Sequence, residues 1–125
     1  MARSAVPVHA RGALRGMYSA VFYKTEAGNE PALDWFRALE PEERRIVGYE
    51  LRLLQIGFPE GLPRCRSLGD GLFELRCTLP NKIARVIFFL DGHSFIIVHG
   101  FIKKSQKTPK EELETAKARK KQYKF

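Results

Sequence analysis

The chain has 125 residues, 44% of them hydrophobic, and a formal net charge of +8. That is enough for one domain with a modest core, and no apolar run approaches the length of a membrane span. The charge is uneven: residues 1–71 hold ten Lys/Arg against nine Asp/Glu, while residues 72–125 hold twelve against five. A basic half of this kind points to nucleic acid or an acidic protein partner, and a merely solvated surface is the blander reading.

Met1 to Gly16 is rich in Ala, Gly, Pro and Arg and has no continuous apolar segment. It reads as a disordered N-terminal extension, not a secretory signal, ahead of a domain spanning 17–125. With neither signal nor span, the cytosol is the expected compartment. Tyr18 to Thr25 combines Val, Thr and three aromatics and reads as a first strand. Ala27-Gly28-Asn29 is a turn, and Asn29 or Glu30 caps a helix opened by Pro31. Leu33, Phe36 and Leu39 give that helix one apolar face, flanked by Trp35, which is more often core than ligand platform at such a position. Glu40-Pro41 ends it and starts a second helix, with Glu42 and Glu43 favoured in its first turn. Ile46, Val47, Leu51, Leu53 and Leu54 form its buried side, and Gly57 is the expected stop. Only one corner separates the two helices, so they form a hairpin.

Three runs rich in Phe, Ile, Val and Leu follow: Leu72–Leu79, Ile83–Leu90 and Ser94–Phe101. Pro80-Asn81-Lys82 and Asp91-Gly92-His93 join them with the length and chemistry of tight turns, giving an antiparallel meander. Thr108, Pro109 and Glu111 read as the N-cap, first-turn proline and capping-box glutamate of a last, basic helix. The expected fold class is α+β: order β-α-α-β-β-β-α, a small, largely antiparallel sheet of about four strands, with the helical hairpin on one face.

Alternate strand residues share a face. In the first meander strand Glu74 and Arg76 lie opposite Phe73, Leu75 and Cys77. In the next, Arg85 lies near the start, so the turn makes Arg76 and Arg85 near-opposite neighbours. The competing reading pairs each arginine with a carboxylate, Glu74 or Asp70. Past the last strand, Lys103, Lys104 and Lys107 sit on a short segment anchored by the following helix start, an array suited to a phosphate backbone. His93 is expected in a solvated turn, and His9 falls in the leader. His99 reads as a structural hydrogen-bonder ahead of a catalyst. Cys65 and Cys77 read as core or incidental thiols, and no His/Cys/carboxylate spacing supports a metal.

Leu68-Gly69-Asp70-Gly71-Leu72-Phe73-Glu74-Leu75-Arg76, then Ala84-Arg85-Val86-Ile87-Phe88-Phe89, then His99-Gly100-Phe101-Ile102-Lys103-Lys104-Ser105-Gln106-Lys107-Thr108-Pro109 resembles the phage-derived Gp49-like family of HigB-type toxins, within the RelE/ParE toxin–antitoxin superfamily. The likeness covers about residues 17–125. It implies a RelE-like fold and the toxin of a type II system: an endoribonuclease, or mRNA interferase, that cuts mRNA on the ribosome and so inhibits translation. The reaction implied is metal-independent attack of the 2′-OH on the adjacent phosphate, with no cofactor. Arg76, Arg85, Lys103, Lys104 and Lys107 match the family's catalytic basic residues, and Glu74 and His99 are further candidates. Arg64, Arg66, Lys82, Lys110 and Tyr123 are the expected RNA contacts, Tyr123 by stacking on a base. The implied partners are mRNA on the ribosome and a cognate HigA-like helix-turn-helix antitoxin, with no membrane. The same superfamily also holds ParE-like gyrase-directed toxins, so that activity and non-catalytic nucleic-acid binding are the alternatives.

Overall fold

The computed structural model describes residues 17–59, 64–103 and 108–125. The expected N-terminal extension, residues 1–16, lies outside them, as do Lys104 and Lys107. Along the chain the elements are β1 (Ser19–Phe22), α1 (Pro31–Arg37), α2 (Pro41–Gly57), β2 (Cys65–Gly69), β3 (Leu72–Leu79), β4 (Lys82–Asp91), β5 (Ser94–Lys103) and α3 (Lys110–Gln122). The strands form one five-stranded sheet in the order β1-β5-β4-β3-β2. β1 runs parallel to β5 and the other pairings are antiparallel, so the sheet is mixed.

The meander forms because its strands are near-continuous apolar runs buried on both faces of the sheet and its turns fit. Asn81 adopts a positive φ of 62° in the loop between β3 and β4, a conformation asparagine tolerates. A further strand, β2, precedes the meander. It pairs with β3 through Asp70-Gly71, both at positive φ, as a tight hairpin requires. The register of β4 on β5 slips between Ile87 and Phe88, leaving Val98 as a bulge residue.

Alternation sends Leu75, Cys77, Val86, Phe88, Phe95 and Ile97 to one face, where they pack with Leu33 of α1 and Val47, Leu51 and Leu54 of α2. The hairpin therefore covers one face, as its periodicity predicts. Trp35 lies over Gly100, where a Cβ would come within 2.2 Å of the ring. Gln55 ties the ends together: its side chain donates to Tyr18 O at 2.8 Å, and its backbone carbonyl accepts from Tyr18 N at 3.1 Å. Leu72, Ile87, Phe89, Ile96, Val98 and Phe101 occupy the opposite face, which α3 crosses with Ala116 buried and Leu113 partly so.

Two helix boundaries differ from the sequence reading. Gly57 closes α2 as its last residue, and Phe58 follows in an extended conformation. α3 begins at Lys110 with Pro109 in the cap position, and neither Thr108 nor Glu111 makes a capping bond. The Thr108 hydroxyl instead donates to the Glu74 carboxylate, an ionised acceptor that outcompetes a backbone cap. A capping box does form at α2, where Glu40 and Glu43 serve each other's backbone N–H.

Candidate functional site

The candidate residues gather on the face of the sheet that α3 crosses. Arg76 and Arg85 stand directly opposite across β3 and β4, with Phe101 next to Arg85 on β5. The rows on either side are Arg66, Glu74, Ile87 and His99, and Thr78, Ile83 and Lys103. Adjacent strands and alternate residues thus gather four cationic side chains around one acidic one on this face.

That acid is Glu74, wholly removed from solvent, as is Arg85. Its Oε1 accepts from Arg66 Nε at 2.9 Å and from Arg85 NH1 at 3.1 Å. Its Oε2 accepts from the Thr108 hydroxyl, which in turn receives an Arg66 N–H at 3.3 Å. A buried carboxylate is tolerated only when its lone pairs are met this way. Glu74 thereby fastens β2, β3, β4 and the start of α3 to one point.

The two facing arginines therefore differ. Arg85 is enclosed and bound to Glu74, the pairing that the competing sequence reading anticipates. Arg76 is half-buried, and its guanidinium makes no hydrogen bond or ion pair among the described residues. Lys103, one row further along, is also half-buried and makes no ion pair there, and Lys110 is exposed on the first turn of α3. Arg66 remains about half exposed despite its bond to Glu74.

The other expected contacts are spread more widely. Arg64 reaches Glu50 of α2 at 2.8 Å, and Lys82 reaches Glu43 at 2.6 Å, both on the hairpin side. Tyr123 donates to Asp91 Oδ2 at 2.7 Å and sets its ring edge-on to Phe89. Phe89 lies four residues along β4 from Arg85, or about 13 Å, so Tyr123 sits at the far end of the sheet from the arginines.

His99 lies between two groups from α3. Arg119 donates to Nδ1 at 3.2 Å while also holding Val98 O at 2.7 Å, and Nε2 meets Glu112 Oε1 at 2.5 Å. With Nδ1 accepting, the proton belongs on Nε2 and goes to the carboxylate. Both nitrogens are thus engaged in fixing α3 to β5, which suits the structural role. Burial pushes the Arg119 guanidinium below its ordinary range. Glu112 and Arg119 are not singled out by sequence reasoning, yet they are seven residues apart on a helix, and so on one face. Among the described residues no cluster of His, Cys, Asp and Glu could hold a metal, and no helix is long and apolar enough to cross a membrane.

The family model described as phage-derived protein Gp49-like matches residues 34–121, a span that contains every site residue above except Tyr123. Among curated proteins, none matches the chain.

Proposed function

The chain belongs to the phage-derived Gp49-like family, which is of the RelE/HigB-like toxin type, and on that premise we propose that it is the toxin of a type II toxin–antitoxin system, an endoribonuclease that cuts mRNA on the ribosome. The observation that carries the reading is the contrast at the sheet. Glu74 is saturated by Arg66, Arg85 and Thr108, while Arg76 faces the same surface with no partner among the described residues. An unpaired arginine beside Arg66 and Lys103 is suited to grip a phosphate with parallel N–H groups.

In the proposed reaction the ribose 2′-oxygen attacks the adjacent phosphorus. The bond to the 5′-oxygen of the next nucleotide breaks, leaving a 2′,3′-cyclic phosphate. The 2′-OH gives up a proton and the departing 5′-oxygen gains one. Arg76 stays protonated, so its part is to stabilise charge gathering on the phosphate oxygens, not to act as base. Lys103, Lys104, Lys107 and Lys110 hold the flanking phosphates. Arg85 acts through Glu74, by placing Arg66 and Thr108, without touching the substrate.

The substrate places the toxin in the cytoplasm, and the basic face gives a helix-turn-helix antitoxin an electrostatic target. The test is to express the chain in a translating extract and map new mRNA 5′ ends. The parent should create them. Arg76→Ala should lower the cleavage rate by about 10²–10³, the cost of one charge-stabilising donor. Translation arrest without new ends, or growth arrest traced to gyrase, would overturn the nuclease reading.

A further inference from the structure

The sheet has two edges, and they differ. On β1, Ser19 N donates to His93 O and Tyr23 N to Ile97 O. Alternate residues therefore face β5, and the backbone groups of Ala20 and Phe22 turn outward. Both residues are nevertheless buried, at 1% and 4% exposure, so that edge is covered. On β2, Arg76 N donates to Arg64 O at 3.0 Å. In an antiparallel ladder this makes Arg64–Arg76 and Arg66–Glu74 the hydrogen-bonded pairs, with Cys65–Leu75 and Ser67–Phe73 between them. The N–H and C=O groups of Cys65 and Ser67 therefore point away from the sheet, and none of them is bonded among the described residues. Ser67 is exposed and Cys65 half-buried. Such an edge is a template for a further strand unless a proline or a free charge blocks it. β2 has no proline, and its one charged side chain, Arg66, is turned onto Glu74.

The two faces beside this edge have opposite chemistry. On the hairpin face Ser67 stands beside Phe73, and the Phe58 ring lies edge-on to Phe73 with centres 5.4 Å apart. Both rings are half-buried, as is Cys65. On the α3 face Arg66 is about half exposed, and Arg76 follows in the next row. We infer that the β2 edge is a docking site for an extended segment of a partner protein in which acidic and apolar residues alternate, added antiparallel to β2 as a sixth strand. Residues opposite Cys65 and Ser67 pair through the backbone and set apolar side chains beside Phe58 and Phe73. Residues opposite Arg64 and Arg66 set carboxylates beside Arg66 and toward Arg76. Backbone and charge together select this occupant. An RNA strand offers no ladder of N–H and C=O groups, and a second copy pairing β2 with β2 would bring Arg66 against its own counterpart. A strand on this edge narrows the approach to Arg76, so on the nuclease reading, on which this one consequence rests, the segment is an inhibitor.

The test measures binding of a short peptide of alternating glutamate and valine, capped at both ends, to the parent and to Ser67→Pro. Two further peptides carry backbone N-methyl groups, one on its valines and one on its glutamates. The added ladder uses the valine N–H groups, because those residues lie opposite Cys65 and Ser67. Methylating the valines should weaken binding about tenfold or more, the worth of two lost hydrogen bonds. Methylating the glutamates should leave binding within about twofold of the unmodified peptide, since those N–H groups face solvent. Ser67→Pro removes an outward N–H at an edge position, where proline is tolerated. It should keep the parent's circular dichroism and bind the peptide several-fold more weakly, and if it fails to fold the methylated pair decides alone. A peptide with glutamine for glutamate should bind more weakly at low salt and show less dependence on salt. Equal affinity for the two methylated peptides would overturn the added strand, as would a concentration-dependent dimer of the parent that Ser67→Pro abolishes. Saturating peptide should also slow mRNA cleavage by the parent, and cleavage that continues unslowed would overturn the inhibitory role. Binding that meets these outcomes in a chain without nuclease activity would retain the docking edge and remove the nuclease.

Discussion

Removing the Arg85 guanidinium would leave the Glu74 carboxylate without one of its two cationic partners inside a site closed to water. Breaking a buried ion pair from one side costs about 3–5 kcal/mol, and the lower figure applies because Arg66 and Thr108 stay bound. Arg85→Ala should therefore lower the denaturation midpoint by the equivalent of about 3 kcal/mol. Arg76→Ala, which breaks no side-chain bond among the described residues, should stay within about 0.5 kcal/mol of the parent. Chemical denaturation of the two variants checks this, and equal midpoints would contradict the different roles given to two identical side chains. Cys65 yields a second residue-scale outcome. Burial first, then the nearby Glu74 charge, push its thiol up to about 11. At pH 8 its thiolate fraction is then about 10⁻³, against roughly a quarter for an ordinary thiol, while the more basic thiolate recovers about tenfold in nucleophilicity. Cys65 should react with a disulfide reagent about twenty-five times more slowly than a free thiol, with the rate still rising above about pH 9.

At the scale of elements, two contacts fix the hairpin on the sheet. One is the ring of Trp35 over Gly100. Gly100→Ala places a methyl about 2.2 Å from that ring, and overpacking of this kind costs about 1–3 kcal/mol. Thermal denaturation should show the loss, and Trp35→Leu in the same chain should recover part of it. The other contact is Lys82 with Glu43, whose hydrogen bond holds the Glu43 carboxyl below its ordinary range against the opposing effect of burial. A carboxylate lowered on folding contributes stability above its unfolded value of about 4.3, and the contribution is lost as the pH falls through the folded value. Glu43→Gln should thus unfold more readily than the parent at pH 7, with the gap closing below about pH 4 as the parent's carboxylate takes up its proton.

The same elements show what is legible in the chain. The meander strands and the opposition of Arg76 and Arg85 follow from alternation and turn length, because each residue's face is fixed by its neighbours. β2 escapes this reasoning: Cys65-Arg66-Ser67-Leu68-Gly69 holds no β-branched or aromatic residue and is an edge strand held by β3. Its one signal is Asp70-Gly71, a strong hairpin dipeptide. Arg85 at the sheet surface looks available in sequence, whereas in the structure it is buried and bound to Glu74, a carboxylate that Arg66 and Thr108 also reach from elsewhere in the chain. Thr108 reads as a cap for the same reason, since the competing acceptor, Glu74, is 34 residues away.

Over the whole molecule, one charge distribution acts in two opposite directions. The net charge of +8 raises the self-energy of the compact state, most of all where residues 72–125 hold twelve cations against five anions. The described ion pairs include exposed ones, such as Arg45 with Glu42 and Lys124 with Glu26, and pairs of that sort contribute little at any salt concentration. Screening should therefore relieve more repulsion than it removes attraction. Raising the sodium chloride from about 20 to about 300 mM shortens the Debye length from roughly 20 Å to below 10 Å, and the melting temperature of the free chain should rise. RNA affinity should fall over the same range, because each phosphate contact releases counterions whose gain vanishes in salt. Melting the chain with and without a saturating single-stranded RNA at both salt concentrations reads the two effects together. The free protein should gain stability with salt while the stabilisation conferred by RNA shrinks. A free chain that melts lower at the higher salt would mean that ion pairs, with the Glu74 cluster foremost, outweigh the excess positive charge.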